Sequence, residues 1–268
     1  MLYEIFIEIF ERKLSHKGSH GIRTMSASRI PLTTISFAHG LNFYKLFWVF
    51  VIGCFLGVVI ETIWCILRNR RIESRKGLIY GPFNLVYGIG AIFMTVGLIW
   101  MKDTRDLFVF IGGTIIGGAY EYVCSVIQEK LTGTISWDYK ALPFNLHGRI
   151  NLLYCFFWGI LGLLWERDLY PPLSRLIERI PNSVGIPLTW ILVVFFVLDS
   201  FISAAAVYRM NCRQTGQIKE HTRFWQWIDR RYPDKRMRRI YPNMKFNLQN
   251  IKIPNKTELK EELSQILK

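Results

Sequence analysis

The sequence predicts an all-α membrane protein with about five transmembrane helices and a duplicated, parallel helix–loop–helix unit. Three observations predict it. Half of the chain is apolar, with 51% hydrophobic and 15% aromatic residues, too much for an ordinary soluble protein carrying 20% charge. Its charges are gathered into short stretches between apolar runs, and a run of roughly 20 apolar residues crosses the ~30 Å hydrocarbon core as a helix. Two of these runs carry the same small-and-acidic pattern: Gly53, Gly57 and Glu61, then Gly113, Gly117 and Glu121 sixty positions on.

Taken in order, residues 1–42 read as a leader, flexible or interfacial. Its first ten residues are amphipathic and too short to span, and 11–40 is polar and basic. It lacks the hydrophobic run of a secretory signal, so cleavage is not expected, and Met25 is an alternative start. Residues 43–208 form the transmembrane domain, with one repeat over 46–101, a second over 107–165 and a fifth span over 186–208. Residues 128–148, between the third and fourth spans, hold an apolar patch too short to cross, which suits a re-entrant or interfacial segment. Residues 209–268 form a basic tail.

The formal charge of +14 lies largely in connections and tail. Arg68, Arg70, Arg71, Arg75 and Lys76 follow the first span, and fifteen Lys and Arg against six acidic residues run from Arg209 to the end. The excess of cations on cytoplasmic segments then places the C-terminus and the first and third connections in the cytoplasm and the N-terminus outside, in a multi-pass protein of the cell membrane. No nucleic-acid partner is implied. The tail mixes Phe224, Trp225 and Trp227 with Arg230 and Arg231, a composition that suits the anionic inner leaflet, at roughly 1 kcal/mol per cation. Cys54, Cys65, Cys124, Cys155 and Cys212 show no metal-ligand spacing. They read as small packing residues, and neither metal nor cofactor is expected.

On a helix, positions i, i+4 and i+8 share one face. Each Gly–Gly–Glu set is thus a strip without bulk for two turns and acidic on the third. The glycines let helix backbones approach in lipid. A carboxylate inside a span costs roughly 2.5–3.5 kcal/mol unless it meets the bundle interior, a wet cavity or a cation. Asp199 in the fifth span lies at comparable depth, and Arg149 at the start of the fourth is a ready cation. These groups lock the repeats together or form a polar substrate or ion site. Each repeat also holds a Pro-Phe-Asn-Leu run, Pro82–Leu85 and Pro143–Leu146. Asn84 and Asn145 are good caps for a helix entry, beside Tyr87 in the first case. The alternative reading holds an anionic group on two helix N-termini. Asp138, in Trp137-Asp138-Tyr139, is either a general acid or base beside the membrane or a solvated neighbour of an aromatic anchor. No catalytic residue is assigned. There is no GxxxxGK[ST], HExxH or GxSxG, so the chain is no ATPase by itself and carries no protease or hydrolase motif.

Taken together, Ile60-Glu61-Thr62, Tyr80-Gly81-Pro82-Phe83 with Tyr87-Gly88, Glu121-Tyr122, Trp137-Asp138-Tyr139, Pro143-Phe144-Asn145 and Gly148-Arg149 resemble the ABC-transporter type IV (CmpB-like) permease family of bacterial multi-pass membrane proteins. The resemblance covers roughly residues 43–245 and includes Trp227-Ile228-Asp229. It implies a multi-pass permease of the cell membrane and carries over no site residues. The expected function is transport through a polar site between the repeats, near the cytoplasmic side, powered by a separate ATPase subunit or an ion gradient. Five spans are few for a path, so a homodimer is expected. The alternatives are a membrane regulator or assembly factor recruiting a partner through its tail, and an intramembrane lipid-modifying enzyme using Glu61, Glu121 and Asp138.

Overall fold

In lipid every backbone amide must be bonded within the chain, so long apolar runs fold as helices. The computed structural model describes residues 35–216 and 222–246; of the expected leader over 1–42, residues 1–34 lie outside the described residues, as do residues 217–221 and 247–268 of the tail. Helix α1 (Phe43–Asn69) starts at Asn42, whose side chain accepts from the Lys45 amide, and stops where Arg70 turns left-handed at φ 52°. Helix α2 (Leu85–Leu98) is capped by Asn84 and tightens into a 3-10 turn at Ile99–Met101. Helix α3 (Asp106–Thr132) ends at Gly133, φ 65°. Helix α4 (Leu152–Leu164) runs through a π turn (Trp165–Leu169) into α5 (Tyr170–Glu178). Helix α6 (Asn182–Gln214) is followed by two short tail helices, α7 (Arg223–Arg231) and α8 (Asp234–Ile240).

The chain is an all-α membrane protein. Its five apolar helices stand where the sequence places them, and α1, α3 and α6 are long and apolar enough to cross a membrane. The other two are shorter: 14 residues in α2 and 13 in α4 rise about 20 Å at 1.5 Å per residue. Each short helix lies along a long one, α2 on α1 and α4 on α3.

One end of the bundle is closed by a mixed polar and apolar cap. Lys45 is wholly buried, and its Nζ donates to the Ser174 carbonyl (3.0 Å), the Ser174 hydroxyl and Glu178 (both 2.5 Å). Three bonds satisfy the three ammonium protons, which is what permits its burial. The Trp165 indole donates to Thr95 at 2.9 Å and the Phe37 amide to Asn182 at 2.8 Å, while Phe37 and Ala38 join Ile177 in the core there.

The opposite end gathers the segment 70–84, the segment 133–151 and the tail. The Tyr80 and Tyr232 hydroxyls meet at 2.8 Å, and the Tyr241 hydroxyl donates to the Gly77 carbonyl at 3.0 Å. Strand β1 (Thr134–Ile135) pairs with β4 (Lys245–Phe246). Ile79, Met210, Ile228, Tyr232 and Met237 form a second core beneath these contacts.

Here the second helix entry departs from the expected one. Pro143–Leu146 does not open a helix; Asn145–Leu146 is strand β2 of a tiny hairpin with β3 (Ile150–Asn151). Asn145 therefore caps nothing: its Nδ2 donates to the Leu142 carbonyl (2.6 Å) and its Oδ1 accepts from the Gly148 amide (2.9 Å). Asn151 takes the capping role and accepts from the Leu153 amide at 2.9 Å. Phe144 and His147 hold left-handed backbones, each at φ 55°. Such a reversal is local and leaves little trace in a pattern of residue types.

Candidate functional site

The two glycine strips position the two glutamates. On α1, a Cβ added at Gly53 would lie 2.8 Å from the Ala91 Cβ and 3.2 Å from the Gly88 Cα, and one at Gly57 would strike the Tyr87 ring. Tyr87 thus lies in the notch of Gly57 and reaches one turn further, where its hydroxyl donates to Glu61 Oε2 at 2.5 Å. On α3, a Cβ at Gly113 would meet the Trp158 carbonyl at 3.1 Å and the Gly162 Cα at 3.2 Å, and one at Gly117 would strike the Trp158 indole. Trp158 Nε1 in turn donates to Glu121 Oε2 at 3.0 Å. In both helix pairs an aromatic side chain fills the second glycine's notch and hands a proton donor to the glutamate one turn on.

The remaining partners differ. Glu61 faces the Arg75 guanidinium at 3.6 Å, and Arg75 also pairs with Glu73 (3.1 Å) and donates to the Cys65 sulfur (3.1 Å). Glu121 is buried and accepts from the Tyr139 hydroxyl at 2.8 Å; among the described residues no cation stands within ion-pair distance of it. Tyr139 stacks on Tyr154 with ring centres 4.6 Å apart. Burial, and then the Glu121 carboxylate, push the Tyr139 phenol well above its ordinary range, so it stays a donor. Tyr87 lies within electrostatic reach of Glu61, Glu121 and Tyr139. Arg75, Glu61 and Tyr87 form one bonded group and Glu121, Tyr139 and Trp158 a second within electrostatic reach of it, together a polar row.

The other sequence candidates lie elsewhere. Asp199 does not join the row; it accepts from the Tyr80 amide (3.1 Å) and the Ser203 hydroxyl (3.0 Å), and Ser203 accepts from the Ile79 amide (2.9 Å). It ties the segment 70–84 to α6. Arg149, expected beside one of the three carboxylates, pairs instead with Glu129 and donates to Ser125 at 3.0 Å. Its position on the hairpin, just after Gly148, carries it along α3 past Glu121. Asn84 caps α2 through the Val86 amide at 3.1 Å. Asp138 accepts from the Lys140 amide at 3.1 Å and lies 3.9 Å from Lys245. Its neighbour Tyr139 is the residue that reaches the row. Among the described residues no group of His, Cys, Asp and Glu could hold a metal ion.

Arg75, Tyr139 and Trp158 are the site residues that the sequence pattern missed. For Trp158 a signal existed: Trp158-Gly159-Ile160 repeats the aromatic-Gly-Ile order of Tyr87-Gly88-Ile89.

A model of the family described as "Putative ABC-transporter type IV" matches residues 48–204, from within α1 to within α6. Comparison with curated proteins and with solved structures gave no match.

Proposed function

The chain belongs to the ABC-transporter type IV family, and from that premise we propose a permease whose cargo contact is the row from Arg75 to Trp158. The observation that carries this reading is Glu121, a buried carboxylate whose partners among the described residues are the neutral donors Tyr139 and Trp158. An intramembrane carboxylate without a resident cation suits a proton, an inorganic cation or a positively charged group on a cargo molecule. Glu61, balanced by Arg75, supplies the second acidic station. The two helix pairs are copies of one unit, five helices span the cell membrane, and the row lies toward the basic end of the bundle. Segments 70–84 and 133–151 and the tail all carry cations at that end, which supports placing it in the cytoplasm. A separate ATPase subunit supplies the energy, and a homodimer encloses the path.

Crosslinked purification of the full chain from native membranes tests this. The expected result is an ATPase subunit in the complex, with ATP hydrolysis reduced about tenfold in Glu121→Gln, the change in barrier being about 1.4 kcal/mol, and insertion unchanged. Recovery of a lipid-modifying enzyme, or of no ATPase, overturns the reading, as does full hydrolysis by both Glu61→Gln and Glu121→Gln.

A further inference from the structure

The tail separates its charges by direction. The two acids among its described residues, Asp229 and Asp234, point inward, toward α6. Asp229 accepts from Arg209 (2.9 Å) and pairs with Arg213, and Asp234 pairs with Arg213 (2.6 Å) and accepts from Gln214 (2.6 Å). Although burial alone would raise it, the two guanidiniums hold the Asp229 carboxyl below its ordinary range. Five of its cations point outward. Arg223, Arg230, Arg231, Lys235 and Arg239 are exposed, and among the described residues none has an acidic partner.

Two large aromatic side chains share that outer surface. Phe224 and Trp227 are 39% and 46% exposed. On a helix, Arg223, Trp227, Arg230 and Arg231 fall on one side of α7, with Phe224 at its edge. This surface continues one that faces lipid. The Phe224 ring lies 6.0 Å from that of Phe201, and the Trp225 ring 5.8 Å from that of Tyr208. Phe201 and Tyr208 stand on the outward apolar side of α6, with Val194, Val197 and Leu198 also exposed. Aromatic rings beside cations, at the point where a spanning helix leaves the bilayer, match the boundary between acyl chains and headgroups.

We infer that α7 and α8 bind the acidic phospholipid headgroups of the leaflet where α6 emerges, with Phe224 and Trp227 inserted at the acyl boundary. This surface does not depend on the cargo reading. Its chemistry is that of a phosphate-rich plane: several separate, exposed cations spread along α7 and α8.

Hydrogen exchange over 223–240 tests it, on the full chain in nanodiscs of phosphatidylcholine alone or with about one third phosphatidylglycerol, a difference that attracts cations within a Debye length of ~10 Å. Exchange is expected to slow about tenfold in the acidic discs and to return to its zwitterionic value in high salt. In the variant Arg223→Gln/Arg230→Gln/Arg231→Gln/Lys235→Gln/Arg239→Gln, which keeps Asp229, Asp234, Arg209 and Arg213, the acidic-lipid effect is expected to vanish. Should that variant fail to fold, the salt titration of the unaltered protein decides alone. Equal exchange in both discs overturns the inference. So does slowing that survives the five substitutions, or protection that appears only when a partner protein is added.

Discussion

The two helix pairs share a packing plan and differ in how they neutralise their glutamates. Both use two glycines to admit an aromatic ring and one carboxylate to receive its proton donor. Glu61 then sits at the basic connection with 31% of its side chain exposed, facing Arg75. Glu121 is buried between α3 and α4 with a phenol and an indole. Packing can therefore be repeated while the electrostatics diverge. A partly exposed pair such as Glu61 and Arg75, 3.6 Å apart, contributes little, typically about 1 kcal/mol or less. A buried carboxylate bonded by neutral donors has more at stake per contact, because each hydrogen bond to a charged group contributes roughly 1.5–3 kcal/mol.

The largest expected effects break the shared plan. Gly57→Ala and Gly117→Ala would each press a methyl group into a ring that is fixed by its own hydrogen bond. Each is expected to destabilise by about 2–3 kcal/mol, read as a lowered Tm of the purified protein. Full stability in one variant and loss in the other would end the equivalence of the pairs. Next come the carboxylates. Double-mutant cycles of Glu121→Gln with Tyr139→Phe, and of Glu61→Gln with Arg75→Gln, are expected to give coupling near 2 kcal/mol for the first and below about 1 kcal/mol for the second. The reverse order would mean that Arg75, not burial, sets the strength of the site.

The smallest effect concerns pH. The folded phenol of Tyr139 titrates above its unfolded value of about 10. Its stabilising contribution is therefore fully present below pH ~10 and is lost only as pH rises through the higher folded value. The Tm difference between the unaltered protein and Tyr139→Phe should stay constant from pH 6 to 9. A difference that shrinks across that interval would place the phenol's titration within it.

Much of the helical framework was legible, and the reasons are local. Apolar length marks α1, α3 and α6, and glycine spacing marks the faces on which α2 and α4 lie. Glu61 and Glu121 were legible because an acidic residue in an apolar run is costly and therefore conspicuous. Their partners were less so. Arg75 looked like one more cation in a basic loop, and Tyr139 like an interfacial anchor beside Asp138. The second Pro-Phe-Asn-Leu run misled for a physical reason: residue types allow a helix cap, but left-handed Phe144 and His147 turn the chain into a hairpin first. The cap then falls to Asn151. Asn151-Leu152-Leu153-Tyr154 in fact follows Asn84-Leu85-Val86-Tyr87 more closely in its role as a helix start.

The all-α membrane class, the three long apolar helices α1, α3 and α6, and the two carboxylates set on glycine strips were readable in the residues alone. These follow from length, hydropathy and a 3.6-residue period, which act within one segment. Which groups meet the carboxylates, that Asp199 braces the segment 70–84, and that Arg149 belongs to Glu129 came from the packed fold. Those pairings depend on side chains from segments far apart in the chain arriving within about 3 Å of one another. A one-dimensional pattern states what each residue can bond, and the packed fold selects the partner.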